Sequence, residues 1–221
     1  MSGKSIKTLA DQLWKNHGVS LITTFDSGIV PGSVLERRSW NDISRVGHLK
    51  DGVKAADLPD VEGPVPCMLA DFRRSHEMNI AAALRLLQPT DAGAESQFKR
   101  ATEAVATFDA PVIYSMSLLA IEDAIESQPA PFWDRALGQW LRDGKTRVVY
   151  QVIRSRLTFI FRGAGGRGLN LRAVLGPLGG VGLGGQWRWR NEGTIESKRE
   201  LVVAVEVGKY NNGKKRFESA R

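Results

Sequence analysis

The chain has 221 residues, of which 42% are hydrophobic and 25% charged, a balance typical of a globular protein with a buried core. Its net charge of +7 favours an acidic partner, either nucleic acid or an anionic membrane surface. The single cysteine, Cys67, excludes an intrachain disulfide, and no run of about 18 apolar residues predicts a transmembrane helix. The first residues lack the apolar core of a signal peptide, so we expect a cytoplasmic protein.

The first third of the chain predicts a helix, two short strands and a loop. Residues 5–16 carry apolar side chains at helical spacing, with lysines on the other side. Residues 19–25 and 29–35 are β-prone and are separated by a turn. They lead to "ERRSW", which places two arginines beside Trp40 in a predicted loop. Residues 47–66 are polar and contain three prolines, which also predicts a loop.

The middle of the chain contains one ambiguous segment. In "HEMNIAAALRLL", a strand would place five apolar side chains on one face: Met78, Ile80, Ala82, Leu84 and Leu86. The same residues suit a helix, because alanine and leucine are good helix formers. Residues 98–116 then alternate weakly and are interrupted by Pro111. Residues 117–127 and 131–142 predict short amphipathic helices.

Residues 147–161 form the clearest predicted element, a long strand. Its second half has a polar face with Arg154 and Arg156, and an apolar face with Ile153, Leu157, Phe159 and Phe161. A glycine-rich stretch follows, and then "QWRWR" resumes the alternation with Trp187 and Trp189 on one side. "ELVVAVEVGKY" predicts the last strand, and the basic tail is expected to be loose. Strands, two central helices and further strands favour an α+β fold.

No motif in the sequence predicts an enzyme, a cofactor or a metal. Gly163, Gly165 and Gly168 match G-x-G-x-x-G, but the later glycines and Pro177 leave no helix to receive a pyrophosphate. The three histidines lie far apart, without the spacing of metal ligands. Cys67 has no sequence feature that marks it as a nucleophile.

The basic aromatic segments leave three interpretations open. In "QWRWR", tryptophan side chains can stack on nucleobases while arginines contact phosphates. The same pattern suits a strand at a membrane interface, where tryptophan anchors at headgroup depth. It also suits a half-buried strand with tryptophan in the core and arginine in solvent. "ERRSW" pairs cations with an aromatic side chain, which suits anionic lipid.

Taken in order, these features resemble the pore-forming domain of the gasdermin family. The resemblance rests on the short N-terminal helix, the segment Gly28-Ile29-Val30-Pro31, a hairpin with "ERRSW" at its tip, and the strand "VVYQVIRSRLTFIF". A segment rich in small residues and a final apolar strand complete the order. It covers nearly the whole chain, which is expected to be a single domain over residues 1–221.

The resemblance implies a twisted, mainly antiparallel sheet with surrounding helices. On activation, residues 75–110 and 147–207 would convert to long membrane-spanning β-hairpins, and a homo-oligomeric ring would close a large β-barrel. The implied function is a membrane pore that causes lytic cell death (pyroptosis) in immune and antiviral defence. The protein would be cytoplasmic when inactive and located at the cell membrane when active.

The resemblance also implies sites and partners. Residues expected to bind anionic membrane lipids are Lys4, Lys7, Lys15, Arg37, Arg38, Trp40, Arg73 and Arg74. Residues expected in membrane-inserting strands are Met78, Ile80, Ala82, Leu84, Leu86, Ile153, Leu157, Phe159, Phe161, Trp187 and Trp189. An activating protease or an inhibitory partner is a further expectation, since family members carry an inhibitory segment and few residues follow Lys209 here. No specific nucleic acid is expected.

The alternative function is a basic nucleic-acid-binding α+β module. It would use "QWRWR" and the basic tail, and its affinity for single strands would fall steeply with salt.

Overall fold

One long strand organises the sheet in this computed structural model, which describes residue 15 and residues 20–21, 28–37, 43–73, 75–78, 83, 87, 101–163, 187–191 and 193–219. The strands are β1 (Ser20–Leu21), β2 (Ser33–Arg37), β3 (Ile43–His48), β4 (Glu62–Pro66), β5 (His76–Met78), β6 (Glu103–Ser115), β7 (Thr146–Arg162), β8 (Trp187–Asn191), β9 (Thr194–Ser197), β10 (Leu201–Asn211) and β11 (Arg216–Ser219). The α-helices are α1 (Leu118–Glu126) and α2 (Ala136–Arg142). Single 3₁₀ turns span Leu49–Asp51, Ala55–Asp57, Ala70–Arg73 and Ala130–Phe132.

Strand β7 is the centre of the sheet, because its two edges carry most of the other strands. One edge pairs with β6 and, near the start of β7, with β2. The other edge pairs with β10 and β9. The pairings between described strands are antiparallel. The fold is therefore α+β with a curled antiparallel sheet, as the sequence predicts.

Strand β7 also contributes side chains to three buried clusters. Val148 joins a cluster that includes residues of α1 and α2. Val149 and Val152 join a second cluster with β2 and β10. The second half of β7 joins the largest cluster, which includes Phe72 and Trp187. Its β-branched and aromatic composition suits a strand that is packed along most of its length.

The two described α-helices cover the first half of β7. The Ser117 hydroxyl caps α1 by accepting a hydrogen bond from the Ala120 backbone N–H, at 3.3 Å. Its buried face consists of Ile121, Ala124 and Ile125. Helix α2 is shorter than the predicted helix over residues 131–142, since Ala130–Phe132 forms a separate 3₁₀ turn before it.

Strands β4 and β11 lie where the sequence predicted a loop and a loose tail. Strand β4 lies within the predicted loop over residues 47–66. The sequence does not reveal it, because the strand is exposed on both faces and its prolines hide any alternation. Strand β11 falls in the predicted loose tail. It is held there by Phe217, which is 7% exposed and packs edge-on against Tyr210 at a ring-centroid distance of 5.3 Å.

The ambiguous segment "HEMNIAAALRLL" divides between its two interpretations. Its first residues form β5, which pairs with β6. Ala83 and Leu87 are helical and fully buried, four residues apart. Both side chains belong to the cluster of Phe72 and Trp187. Among the described residues, no helix has the length and apolarity needed to cross a bilayer.

Replacing Phe159 with alanine should lower the free energy of unfolding by about 3–5 kcal/mol, because it leaves a cavity in the largest cluster. The measurement is urea unfolding followed by tryptophan fluorescence. Leu119→Ala is the matched control, since Leu119 is 67% exposed on α1 and should change the stability by less than about 0.5 kcal/mol. Equal losses in the two variants would contradict this account of the core.

Candidate membrane-interaction site

The second half of β7 has an apolar face that is completely covered. Ile153, Leu157, Phe159 and Phe161 are each at most 1% exposed and share one cluster with Trp187. The ring centroids of Phe159 and Trp187 lie 5.5 Å apart, in an edge-to-face arrangement. Five of the residues predicted for membrane-inserting strands therefore lie together, on one side of the sheet.

The opposite face of the same ribbon is polar and carries paired charges. Arg162 lies 3.6 Å from the Glu103 carboxylate across the β6–β7 pair. Arg188 and Arg190 both lie near Glu196, with N–O distances of 2.7 and 3.7 Å. The second half of β7, together with β8, thus has an apolar face opposite a face that carries these charges. The first half of β7 is buried on both faces, at Val148, Val149 and Val152.

A β-bulge divides the β6–β7 ribbon at Asp109. Pairing continues on both sides of it, and the register shifts between Asp109 and Val112. The Asp109 carboxylate accepts a hydrogen bond from the Thr158 hydroxyl at 2.7 Å. Thr158 is only 5% exposed, so its hydroxyl needs a partner within the protein, and this bond supplies one. The bulge, next to Pro111, is where the weak alternation of β6 is interrupted.

The remaining residues predicted for membrane-inserting strands are described in part or not at all. The backbones of Met78 and Trp189 lie in β5 and β8, and their side chains are outside the described part of the chain. Ile80, Ala82, Leu84 and Leu86 lie outside the described residues. Their role in membrane insertion stays a prediction.

The predicted lipid-binding cations are only partly described. Lys15 and Arg73 are exposed, and the Arg37 backbone ends β2 in the ladder with Ile43. The described strands of the predicted hairpin, β2 and β3, pair antiparallel, and the Arg37 backbone lies in a strand rather than in a loop. The others lie outside the described residues: Lys4, Lys7, Arg38, Trp40 and Arg74.

The segment Gly28–Pro31 is clamped between the first hairpin and β7. The Arg45 guanidinium donates a hydrogen bond to the Gly28 carbonyl at 2.7 Å, and Arg154 donates to the Ile29 carbonyl at 3.4 Å. The side chain of Ile29 is 2% exposed in the cluster of Val149 and Val152. This sequence motif therefore couples the β2–β3 hairpin to the central strand.

His48 completes this clamp, and sequence reasoning missed it. Its Nε2 lies 3.1 Å from the Pro31 carbonyl, and its Nδ1 accepts a hydrogen bond from the Lys50 backbone N–H at 3.1 Å. A carbonyl only accepts and a backbone N–H only donates, so the ring is the neutral Nε2–H tautomer. Gly32 has φ +86°, and a Cβ there would lie 2.7 Å from the His48 ring. Only the nearby "PG" in the sequence signals this close approach.

Burial lowers the pKa of His48, and nearby Lys50 lowers it further, although the hydrogen bond to Pro31 raises it. The unfolded chain therefore binds this proton more readily than the folded chain. Stability from this group is complete above pH about 6.5 and decreases as the pH falls below that value. Protonation of Nδ1 would also place its N–H against the Lys50 N–H, so two donors would meet and this hydrogen bond would be lost.

The other candidate reactive groups show no assembled site. Burial raises the pKa of the Cys67 thiol, which disfavours the reactive thiolate. In the part of the chain that the structure describes, no three His, Cys, Asp or Glu side chains are grouped as metal ligands.

Lowering the pH from 7.5 to 5.5 should reduce the free energy of unfolding of the wild type. In His48→Asn, an amide oxygen replaces the Nδ1 acceptor without titrating, so we expect a lower stability that depends less on pH. Urea unfolding at both pH values measures the difference. His76→Gln controls for the loss of one imidazole elsewhere in the chain, and an unchanged dependence in His48→Asn would contradict the role of this ring.

No protein-family model matches the chain, and no curated protein matches it. A solved structure described as "Structure of a bacterial gasdermin from Bradyrhizobium tropiciagri" is similar in fold, with a TM-score of 0.59 and 15% sequence identity. The similarity covers 96% of this chain and 90% of that chain. At this identity the likeness concerns the fold alone. The predicted resemblance is confirmed at that level: the chain has a gasdermin-like fold.

Proposed function

We propose that this chain is a non-enzymatic pore-forming protein that binds anionic membranes, oligomerises and inserts β-hairpins. The observation that carries the proposal is the two-faced ribbon of β6 and β7. Strand β7 has 17 residues, about 56 Å when extended, and the hydrocarbon core of a bilayer is about 30 Å thick. Its apolar face suits lipid and its charged face suits a water-filled lumen.

Part of the cover of the apolar face comes from side chains outside the β6–β7 ribbon, which supports a change of environment. Phe72, from the 3₁₀ turn Ala70–Arg73, packs edge-on against Phe108 of β6 at a centroid distance of 5.1 Å. Ala83 and Leu87 join the same cluster from a helical segment. In the proposed insertion, lipid replaces this cover while β6 and β7 stay paired. The ion-paired Arg162, Arg188 and Arg190 are exposed in this structure and would stay in contact with water in the proposed pore.

The electrostatic part of the proposal is recruitment to anionic lipid. A net charge of +7 attracts the chain to such a surface, and each cation near it contributes about 1 kcal/mol. The predicted cations of the N-terminal segment and of the "ERRSW" tip would make this contact. The protein would move from the cytoplasm to the cell membrane, and the resulting lysis would serve immune defence, after restraint by an inhibitory partner or activation by a protease.

The nucleic-acid alternative has less support from the geometry. Trp187 is 2% exposed and packs on Phe159, so it offers no face for a base to stack on. Arg188 and Arg190 both lie close to Glu196. Of the three interpretations of "QWRWR", the half-buried strand describes Trp187 and Arg188 in this fold.

The proposal is tested with dye-loaded vesicles of phosphatidylcholine, prepared with or without an anionic lipid such as cardiolipin. The full chain should release dye and form rings in electron micrographs on anionic vesicles, and should bind neutral ones far less. Sealed vesicles with a monomeric protein beside them, under every composition, would refute the proposal. Salt-sensitive binding to a single-stranded oligonucleotide without leakage would favour the alternative.

Trp187 should lie in lipid once the hairpin inserts, so a nitroxide-labelled lipid should quench part of the tryptophan fluorescence. We expect Trp187→Phe to remove a measurable share of this quenching. Trp140→Phe, on α2 and outside the proposed hairpins, should leave it unchanged. Equal quenching in both variants would contradict insertion of β8, and thermal unfolding would verify that both variants fold.

A further inference from the structure

Strand β4 is exposed along its whole length, although it belongs to the sheet. Residues 60–66 are all exposed. Four large hydrophobic side chains are exposed among the described residues, and three lie here: Val61 (47%), Val65 (55%) and Met68 (70%). Scattered exposed apolar residues are ordinary, but three within eight positions form a patch. Val61, Val65 and Met68, with the acidic residues beside them, are called the β4 patch below.

The β4 patch continues the apolar core to the edge of the sheet. Ala204, Ile153, Ile113 and Val65 pair in one row across β10, β7, β6 and β4. The first two are fully buried and Ile113 is partly buried, whereas Val65 is more than half exposed. Among the described residues, the side chains that bury this row do not extend to Val65. The row therefore ends in an exposed apolar side chain.

A bulge in β4 places a carboxylate beside this apolar surface. The register shifts between Glu62 and Val65, so both residues share the face of their partners Ser115 and Ile113. Gly63 makes the bulge possible, because it has φ +117° and a Cβ there would lie 2.5 Å from the Ile113 carbonyl oxygen. The local geometry thus combines acidic and apolar side chains on one face.

Strand addition is not the means by which a partner would cover β4. Pro64 and Pro66 lack backbone N–H groups, so the strand offers a poor ladder for another strand. A partner must cover the side chains of the β4 patch rather than extend its hydrogen bonding.

The distribution of charge in the chain indicates which surface would cover the β4 patch. Around β4, Asp60 and Glu62 are both exposed, and residues 59–66 contain no lysine or arginine, on a chain whose net charge is +7. The turn between β10 and β11, with its flanks, has the opposite balance. Residues 209–218 contain Lys209, Lys214, Lys215 and Arg216 and a single glutamate. All four cations are exposed, and Lys214 and Arg216 share the carboxylate of Glu218.

The acidic and the basic surfaces lie at opposite edges of the sheet. Ser115 of β6 pairs with Gln151 of β7 on one side and with Glu62 of β4 on the other. Gly208 of β10 pairs with Val148 of β7 on one side and with Ser219 of β11 on the other. The strands β4 and β11 therefore end the same five-strand path. Two copies in the same orientation would bring unlike charges together.

We propose that the β4 patch docks on the β10–β11 turn of a second copy of this chain, head to tail. This inference rests on the proposed function for its purpose, since it names the contact that builds the ring. A heterologous contact of this kind repeats from copy to copy and closes when the rotation per copy allows it. The aliphatic stems of the lysines and of Arg216 can cover Val61, Val65 and Met68, and the charges set the orientation.

Charge reversal with complementation tests the docking. Asp60→Lys/Glu62→Lys and Lys214→Glu/Lys215→Glu should each release dye from anionic vesicles at least tenfold more slowly than the wild type, because like charges then meet. An equimolar mixture should restore release, since the reversed β4 patch of one variant then meets the reversed β10–β11 turn of the other. Asp134→Lys/Glu200→Lys has the same charge change as the first variant, away from β4, and should behave as the wild type. Slow variants that the mixture does not rescue, or variants as fast as the wild type, would overturn the docking.

Cross-linking keeps the docking testable if no vesicle leaks. In a Cys67→Ala background, chains with Val65→Cys are mixed with chains carrying Lys215→Cys and oxidised, with and without anionic vesicles. Head-to-tail docking predicts disulfide dimers only in the mixture. Mixed dimers without leakage would support the docking while the pore proposal fails. Dimers of Val65→Cys alone would show a two-fold contact instead, and the absence of any dimer would refute the docking.

Discussion

The structure depends on one constraint, which is that the apolar face of β7 must be kept from water. Ile153, Leu157, Phe159 and Phe161 are buried almost completely. At about 1.5–3 kcal/mol for each large side chain, their burial contributes roughly 6–12 kcal/mol, which is comparable with the net stability of a whole domain of about 5–15 kcal/mol. No folded state can leave this face wet. It lies against protein in the fold seen here, and against lipid in the proposed pore.

The polar face of the same ribbon explains why the β6–β7 pair can keep its structure in both environments. Arg162 with Glu103, and Thr158 with Asp109, join residues across this pair of strands and need no third element. Hydrogen bonds between paired strands are likewise internal to the ribbon, so a bilayer leaves them satisfied. In the proposed insertion, the cover of the apolar face changes while the pairing of β6 with β7 is kept. The cost of insertion lies in the contacts that Phe72, Ala83 and Leu87 make in the largest cluster.

The sequence predicts the elements whose periodicity is enforced by a buried face. The long strand over residues 147–161, the helix over 117–127 and the strand "ELVVAVEVGKY" agree with β7, α1 and β10, because one side of each packs on a core. Strand β4 has no such side and was missed. The clamp on Gly28–Pro31 depends on Arg45, Arg154 and His48, which come from distant parts of the chain. No local pattern indicates which carbonyl a distant arginine contacts.

The two edges of the sheet show how assembly can be kept separate from aggregation. The prolines of β4 lack the backbone N–H groups that a further strand would need. At the other edge, the carboxylate of Glu122 on α1 accepts a hydrogen bond from the Phe217 backbone N–H, so this donor of β11 is already bonded to a helix side chain. Both edges thus discourage strand addition while they expose side chains of opposite charge. Contact through side chains is reversible and salt-sensitive, so copies can sample orientations before their ribbons pair. Pairing of exposed apolar strands is far harder to reverse. A chain that docks first and inserts later forms those ladders only where a membrane is present to receive the apolar face.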